Sequence, residues 1–462
     1  MCNQKYFLVL AFTIFSLASC KKYVEVKPQG EITPTTVNDY QLLLNNSTVF
    51  NVSFGTTDFP TDDIALIDTG LISSIQPVSL LNIYEWKDLF YQTNEDDPDW
   101  NAFYQQIYTA NVAIQGLPTA TSGTQAQIQK LIAEAKVHRA YAYLCLVNLY
   151  AQVYNASTAD KLPGVPLLLV PTYTQSLKRA PIAQIYSQIL SDLNTSIAAL
   201  PDLPVNKTDP SKAATYALLA RTYLYMGDYV NGLKYADLAL SLQSTLMDLN
   251  AELSVVPPGF PFPGFYLPLS QDDPEVIFMK NTNPSYQDSP LNLSNELLTL
   301  LGPKDLRTYW YTYNGPDLGY FPGIYYAYFA PFEPPQKGPT VPEMMLIKAE
   351  CLVRTQQTQQ GLDVANTLRQ NRFSPADYTP LTASDNQQAL IFVLQERRRE
   401  LFGKGFRLFD LKRYNTDPAL AKTITHPLRS TQLTLAPGSN RYVYPIATKI
   451  ISINPEITQN PR

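Results

Sequence analysis

Four cysteines and two histidines are all that 462 residues offer to soft metals or a disulfide framework. No two of them stand at metal-ligand spacing, so no metal and no cofactor is expected. Cys2 falls in an amino-terminal leader and Cys20 at its end. Cys145 and Cys351 are each isolated in an apolar, helix-patterned stretch, where a thiol behaves as a small hydrophobe. Their spacing leaves open whether they bridge. Charge is scarce as well: Asp, Glu, Lys and Arg make up 16% of the chain, against about 25% in ordinary domains. A net charge of −5 supplies no basic field, which excludes nucleic acid as a partner. There is no glycine-rich phosphate loop and no nucleophile elbow. Downstream of Cys20 no apolar run approaches the roughly 20 residues needed to span a bilayer.

The first nineteen residues are themselves a distinct signal. Lys5 and the amino terminus precede a short apolar run, Phe7 to Phe15, too short to cross a membrane and of signal-peptide dimensions. Leu17-Ala18-Ser19-Cys20 looks like a bacterial lipobox. The expectation is cleavage before Cys20, lipid on its sulfur and new amino group, and a membrane-tethered body outside the cytoplasm. Tyrosine and proline are plentiful, 31 and 37 residues, which suits long ordered loops carrying amphipathic rings.

Helical periodicity dominates the rest. Leu131, Ala135, His138, Ala142, Cys145 and Leu149 step by four and three along one face between about Gln125 and Tyr150. A second helix is predicted from about Ile182 to Leu200. Ser211 to Leu242 reads as a helix pair turning at Gly227-Asp228-Tyr229, with small residues against aromatics in the manner of a tetratricopeptide repeat. A weaker copy spans Glu343 to Arg372. Between them, from about Val255 to Pro342, lies an irregular insert. Short β-like runs such as Glu275 to Met279 and an aromatic stretch from Tyr309 to Phe332 predict a loop-rich subdomain on the helical scaffold.

These segments resemble, in order, the motifs of the SusD/RagB outer-membrane nutrient-binding lipoproteins. Trp100, Tyr104, Ile107 and Asn111 fit the family's early helix. Ala133 to Tyr143 with Leu162-Pro-Gly-Val-Pro166 resembles one signature, Arg179-Ala-Pro with Ile185-Tyr186 and Asp192-Leu193 the next, and Ser211 to Arg221 a third. The most specific match is Glu396-Arg-Arg-Arg-Glu-Leu-Phe402 followed by Gly405 to Arg413. Tyr444-Pro-Ile446, Asn454-Pro-Glu456 and Gln459-Asn-Pro461 look like its carboxy-terminal ending. The chain departs at Gly403-Lys404, where an acidic residue is usual, and at Ala447, where proline is usual. The resemblance implies a mostly α fold: four tetratricopeptide-like helix pairs supporting an irregular ligand-binding face, with one SusD-like domain over 20–462 and a signal peptide over 1–19. It implies a surface-exposed outer-membrane lipoprotein that binds oligosaccharide, or sometimes peptide. Such a protein passes its cargo to a SusC-like TonB-dependent transporter without chemistry. A tetratricopeptide scaffold whose only partner is protein is the alternative.

Few residues could do chemistry. Glu396 and Glu400 stand one helical turn apart, yet the arginines around them would lower their pKa, which is wrong for a glycosidase acid. An ion-pair network fixing the helix against Asp410 to Arg413 is expected instead. His138 lies on an apolar stripe and reads as a packed core residue. Glu95-Asp-Asp-Pro-Asp99 could offer oxygens to calcium, but a solvated loop and helix start is the plainer reading. Sugars present apolar C–H faces on which rings stack, so the candidates for ligand contact are loop aromatics. These are Tyr84, Trp86, Trp310, Tyr311, Tyr313, Tyr320 and Tyr325, with Tyr326 and Tyr328 beside them. Trp100 is read as a packing residue.

Overall fold

Residues 34–172, 174–286, 289–327 and 333–462 are described by the computed structural model. The leader, Cys20 and Tyr328 lie outside the described residues. The long helices, numbered in chain order, are α1 (Pro98–Gly116), α2 (Gln125–Tyr150), α3 (Ile182–Ser196), α4 (Lys212–Met226) and α5 (Tyr229–Leu242), then α6 (Val341–Arg354), α7 (Thr358–Gln370), α8 (Asn386–Leu401) and α9 (Arg407–Tyr414). Their starts follow local chemistry. Asp97 caps α1 with Pro98 behind it, Thr124 and Gln127 form a capping box on α2, and Ser211 and Thr340 cap α4 and α6. The turn from α4 to α5 needs a left-handed residue, and Gly227 supplies it at φ 75°.

α2 packs against both α1 and α3, α4 against α5, α6 against α7, and α8 across α6. Both predicted repeat-like pairs are therefore present as helix pairs. Close approach of α5 to α6 is set at Gly232, where an added Cβ would lie 3.0 Å from Cys351 Sγ. The single stripe read along α2 understates its burial: every residue from 137 to 150 is buried. The helix runs through the middle of the main core. Cys145 and Cys351 are buried free thiols. His138 is buried too, stacked on Phe50 at 4.4 Å with Nδ1 3.0 Å from Lys280 Nζ.

Among the described residues, strands occur only as three antiparallel two-stranded ribbons: β1 (Pro163–Pro166) with β2 (Arg179–Pro181), β3 (Thr312–Asn314) with β4 (Ile324–Tyr326), and β5 (Ile424–Leu428) with β6 (Thr431–Leu435). The β-like run Glu275 to Met279 is not a strand. It makes one isolated bridge, Val276 to Thr340. The Ile277 and Phe278 amides both turn to the Pro339 carbonyl, and a proline opposite has no N–H to continue a ladder. The insert's ribbon forms in the aromatic stretch, where Tyr313 and Tyr325 are register partners with rings stacked 5.4 Å apart. The amino-terminal segment runs beside the insert through bridges Val52 to Asn281 and Ile64 to Leu293.

The carboxylates of α8 are the ion-pair network expected of them. Arg307, fully buried, donates to Asp305, to Glu396 at 2.7 Å and to Glu400 at 2.7 Å. Arg372 joins Glu400 at 3.0 Å to Glu275 at 2.7 Å. Arg397 holds Asp410 at 2.9 Å, Arg398 holds Asp63 at 2.7 Å, and Arg407 holds Asp62 at 2.8 Å. Burial alone would push Glu400 up, but Arg372 and Arg307 outweigh it and hold the carboxyl at about 2. Asp410 to Arg413, read as a turn, lies within α9.

Of the acidic run Glu95 to Asp99, Asp97 and Asp99 turn inward while Asp96 stays exposed. Asp97 accepts from Tyr150 Oη at 2.6 Å and from the Asp99 and Trp100 amides. Asp99 accepts from the Gly55 amide at 3.1 Å and from Asn283 Nδ2 at 3.0 Å. Protein donors occupy the oxygens that a cation would need. Burial raises Asp97 to about 6, and burial together with the Asp97 charge raises Asp99 to about 7.

Glu400→Ala removes one carboxylate partner from each of two buried guanidinium groups and is expected to cost about 3–5 kcal/mol. The readout is the urea midpoint at unchanged m-value; a loss within about 1 kcal/mol would show the pairs to be dispensable. For Asp99, whose ordinary value is 3.8, the folded chain keeps a proton that the unfolded chain has released up to about pH 7. Stability from this group is therefore lost as pH rises through that window. The stability of the wild type relative to Asp99→Asn should fall by about 1–3 kcal/mol between pH 5 and 8, and a flat or rising difference in urea titrations would contradict it.

Candidate functional site

Behind one wall of an open cleft three buried rings are stacked on one another. The His426 imidazole lies between Tyr84 and Trp86, 4.1 Å from each, at interplanar angles of 11° and 21°. Its Nδ1 meets the Tyr84 carbonyl at 2.8 Å and its Nε2 the Thr61 carbonyl at 2.7 Å, so either neutral tautomer donates to one of them. Burial pulls the imidazole below its ordinary range, against the opposite pull of the two carbonyls. Tyr84 Oη donates to the Pro427 carbonyl at 2.6 Å and accepts the Leu66 amide at 3.0 Å. Trp86 Nε1 donates to the Pro60 carbonyl at 3.1 Å. Together they fasten segment 60–66 and the helix Val78–Tyr84 to the β5–β6 ribbon.

That ribbon, segment 62–69, segment 292–298 and residues 322–324 enclose a cleft of about 770 Å³, within the range of small-ligand sites. Its polar lining comes from Asp68, Thr69, Asn292, Ser294, Asn295 and Thr425, and its apolar lining includes Ile67, Pro322 and Ile324. Asp68 is fixed by capping the helix Thr69–Ser74, accepting the Leu71 amide at 2.9 Å. The Asn292 carbonyl accepts the Ala65 amide at 2.9 Å, which locks two walls together. Beside Pro322, Phe321 is half-buried over Gly70, and Tyr320 is 41% exposed. A second, more apolar cavity of about 400 Å³, between Ile391, Leu394, Leu300 and Tyr414, lies beyond Glu296.

The candidate rings divide sharply. Tyr84, Trp86, Trp310, Tyr313 and Tyr325 are buried, as is Tyr326, so the expectation that they are exposed loop rings is corrected. The reason is local: the insert has little regular structure, and its rings serve as its core. Trp310, fully buried, donates Nε1 to the Leu249 carbonyl at 3.0 Å; Tyr325 Oη donates to the Phe321 carbonyl at 3.2 Å. Tyr311 is half-buried in a separate small pocket of about 80 Å³, under Lys404. Among the described residues of the named set, only Tyr320 is exposed. Trp100 is buried, as its reading as a packing residue requires.

The polar lining was missed because no motif marks it. Six residues on three distant segments share only a place in space. The loop Phe260-Pro-Phe-Pro-Gly-Phe-Tyr266 also went unremarked, although its alternation of proline and rings was a visible signal. Its rings pack on one another, Phe260 on Tyr266 at 5.3 Å, and Tyr266 is 38% exposed. Glu396 and Glu400 are sealed among arginines and do not line the cleft. No helix among the described residues is long and apolar enough to cross a membrane.

Comparison with known proteins agrees with this architecture. Residues 22–224 match the family model described as "Starch-binding associating with outer membrane", and residues 342–462 match the one described as "SusD family". SusD-like protein P38 of Formosa agariphila is 24% identical over 427 residues, 78% of each chain. A SusD-like protein of Bacteroides ovatus is 24% identical over 234 residues, 49% of this chain and 40% of that one. The chain thus spans well under two thirds of that relative, and 31% of a further one, SusD-like protein P2 of F. agariphila. A SusD superfamily crystal structure from Bacteroides thetaiotaomicron superposes with a TM-score of 0.72 at 21% identity, covering 92% of this chain and 100% of that one. A laminarin-binding SusD-like protein gives 0.66 at 20% identity, covering 92% and 99%. Two family models matched in order, over residues 22–224 and 342–462 of a chain that shares the mostly helical SusD superfamily fold, make this protein a member of the SusD/RagB family.

Proposed function

We propose that this protein captures oligosaccharide in the cleft between segment 62–69, segment 292–298 and the β5–β6 ribbon, and delivers it to a SusC-like TonB-dependent transporter without chemistry. The observation that carries the reading is the cleft itself: an open volume of about 770 Å³ walled by hydroxyl, amide and carboxyl groups with apolar patches between them. Sugars need that mixture, polar partners for hydroxyls and flat apolar surface for C–H faces. Tyr320, exposed two residues before the lining Pro322, is the stacking ring. Laminarin binding by a neighbour of the same fold supports a glycan over a peptide. The tether is Cys20, lipidated after removal of residues 1–19, with one domain over 20–462 on the outer surface of the outer membrane.

Tyr320→Ala should weaken oligosaccharide binding by about fivefold to tenfold, the scale of one stacking contact, with the melting temperature unchanged. Trp86→Ala should instead cost about 3–5 kcal/mol of stability, because its ring and N–H are both used inside the wall. Calorimetric titration against a glycan panel, with melting curves of both variants, checks the pair. If no saccharide binds while a transporter still co-purifies, a protein-interaction scaffold is the better reading. Cys20→Ala should move the chain from the membrane to the soluble fraction, and protease shaving of intact cells should remove the wild type.

A further inference from the structure

The charged groups around the cleft are distributed unevenly. Among its described lining residues the only ionisable side chains are Asp62, Asp68 and Glu296; none is a lysine, arginine or histidine. Three cations stand close by, but all are committed elsewhere. Arg398 donates Nε to Asp63 at 2.7 Å, Nη1 to Glu296 at 2.5 Å and Nη2 to the Asp62 carbonyl at 3.0 Å. Arg407 forks Asp62 at 2.8 and 2.9 Å. Lys422 holds Asp62 and, at 2.6 Å, Glu296. All three line the neighbouring apolar cavity rather than the cleft. Their positive charge is spent on Asp62, Asp63 and Glu296.

Asp68 differs. It is half-buried, makes no ion pair among the described residues, and spends one oxygen on the Leu71 amide. The balance seen from inside the cleft is one uncompensated carboxylate and no free cation. Arg429, exposed at the tip of the β5–β6 ribbon, is outside the lining. A uronate or sulfate group would lose its hydration without meeting the bidentate donors that usually replace it, and would face a like charge. Uncharged sugar rings meet no such cost, because Thr69, Asn292, Ser294, Asn295 and Thr425 serve hydroxyls.

Building on the glycan reading above, we infer that the cleft selects neutral glycans and rejects anionic ones, the uronate- and sulfate-bearing polysaccharides. Asp68 is the specificity-determining residue.

The test is calorimetry on the purified mature chain with length-matched oligosaccharides. Neutral β-glucan, α-glucan and mannan fragments are set against oligogalacturonate and sulfated galactan fragments. Each is measured at about 20 and about 300 mM NaCl, either side of a Debye length of about 10 Å. At least one neutral fragment should bind with a Kd that changes less than about twofold with salt. Anionic fragments should bind at least about tenfold more weakly at low salt, with the gap narrowing at high salt as repulsion is screened. Asp68→Asn, which keeps a capping side chain, should narrow the low-salt gap by strengthening anionic binding. Tight low-salt binding of an anionic fragment that weakens with salt would overturn the selectivity and leave glycan capture standing. Loss of that binding in Arg429→Ala would then identify the cation responsible. No binding by any fragment would overturn glycan capture itself, and this inference with it.

Discussion

Water has almost no access to the charges of α8, and that single fact constrains much of the molecule. A buried guanidinium or carboxylate is tolerated only with partners, and along α8 each partner comes from a different part of the chain. Glu396 and Glu400 take Arg307 from the insert, Arg369 and Arg372 from the end of α7, and through Arg372 reach Glu275. Arg397 takes Asp410 from α9, and Arg398 takes Asp63 from the amino-terminal segment. Moving any of these segments would leave a charge uncompensated in a dry interior. The network therefore acts as a register for the fold, holding the irregular insert in place where few backbone ladders do so.

The same network reaches the cleft. Asp62 is held by Arg407 and Arg398 on one side and borders the cleft on the other. Glu296 and Lys422 continue it between the two cavities. Electrostatics that position the wall also use up the local positive charge, which leaves the cleft lined by neutral polar groups and one unpaired carboxylate.

Aromatic residues play the opposite part from the one their abundance suggests. In a region with little regular structure, backbone ladders cannot organise a core, so rings with polar tips do it. Tyr84, Trp86 and Trp310 each place a ring in apolar surroundings and an N–H or O–H on a backbone carbonyl. What remains at the cleft surface is mostly small and polar. Tyr320, on the loop joining β3 to β4, is 41% exposed although its ring also meets Tyr313 and Tyr325.

Local physics was readable from the residues. Apolar periodicity located α2 to α7, Gly227-Asp228 marked the turn between α4 and α5, and the arginines flanking Glu396 and Glu400 marked an ion-pair helix, because these depend on neighbours within a few residues. The ordered succession of family motifs located the scaffold for the same reason. The β-like run at Glu275 to Met279 misled, since strand formation needs a partner and Pro339 opposite it offers no N–H. Ring burial and the cleft lay beyond sequence reading. Whether Trp86 faces solvent depends on what Pro60 and His426 do from far along the chain. The cleft exists only where segments 62–69, 292–298, 322–324 and 425–427 meet. Helices were set by contacts three and four residues apart; the site was set by contacts hundreds of residues apart, which only the folded chain brings together.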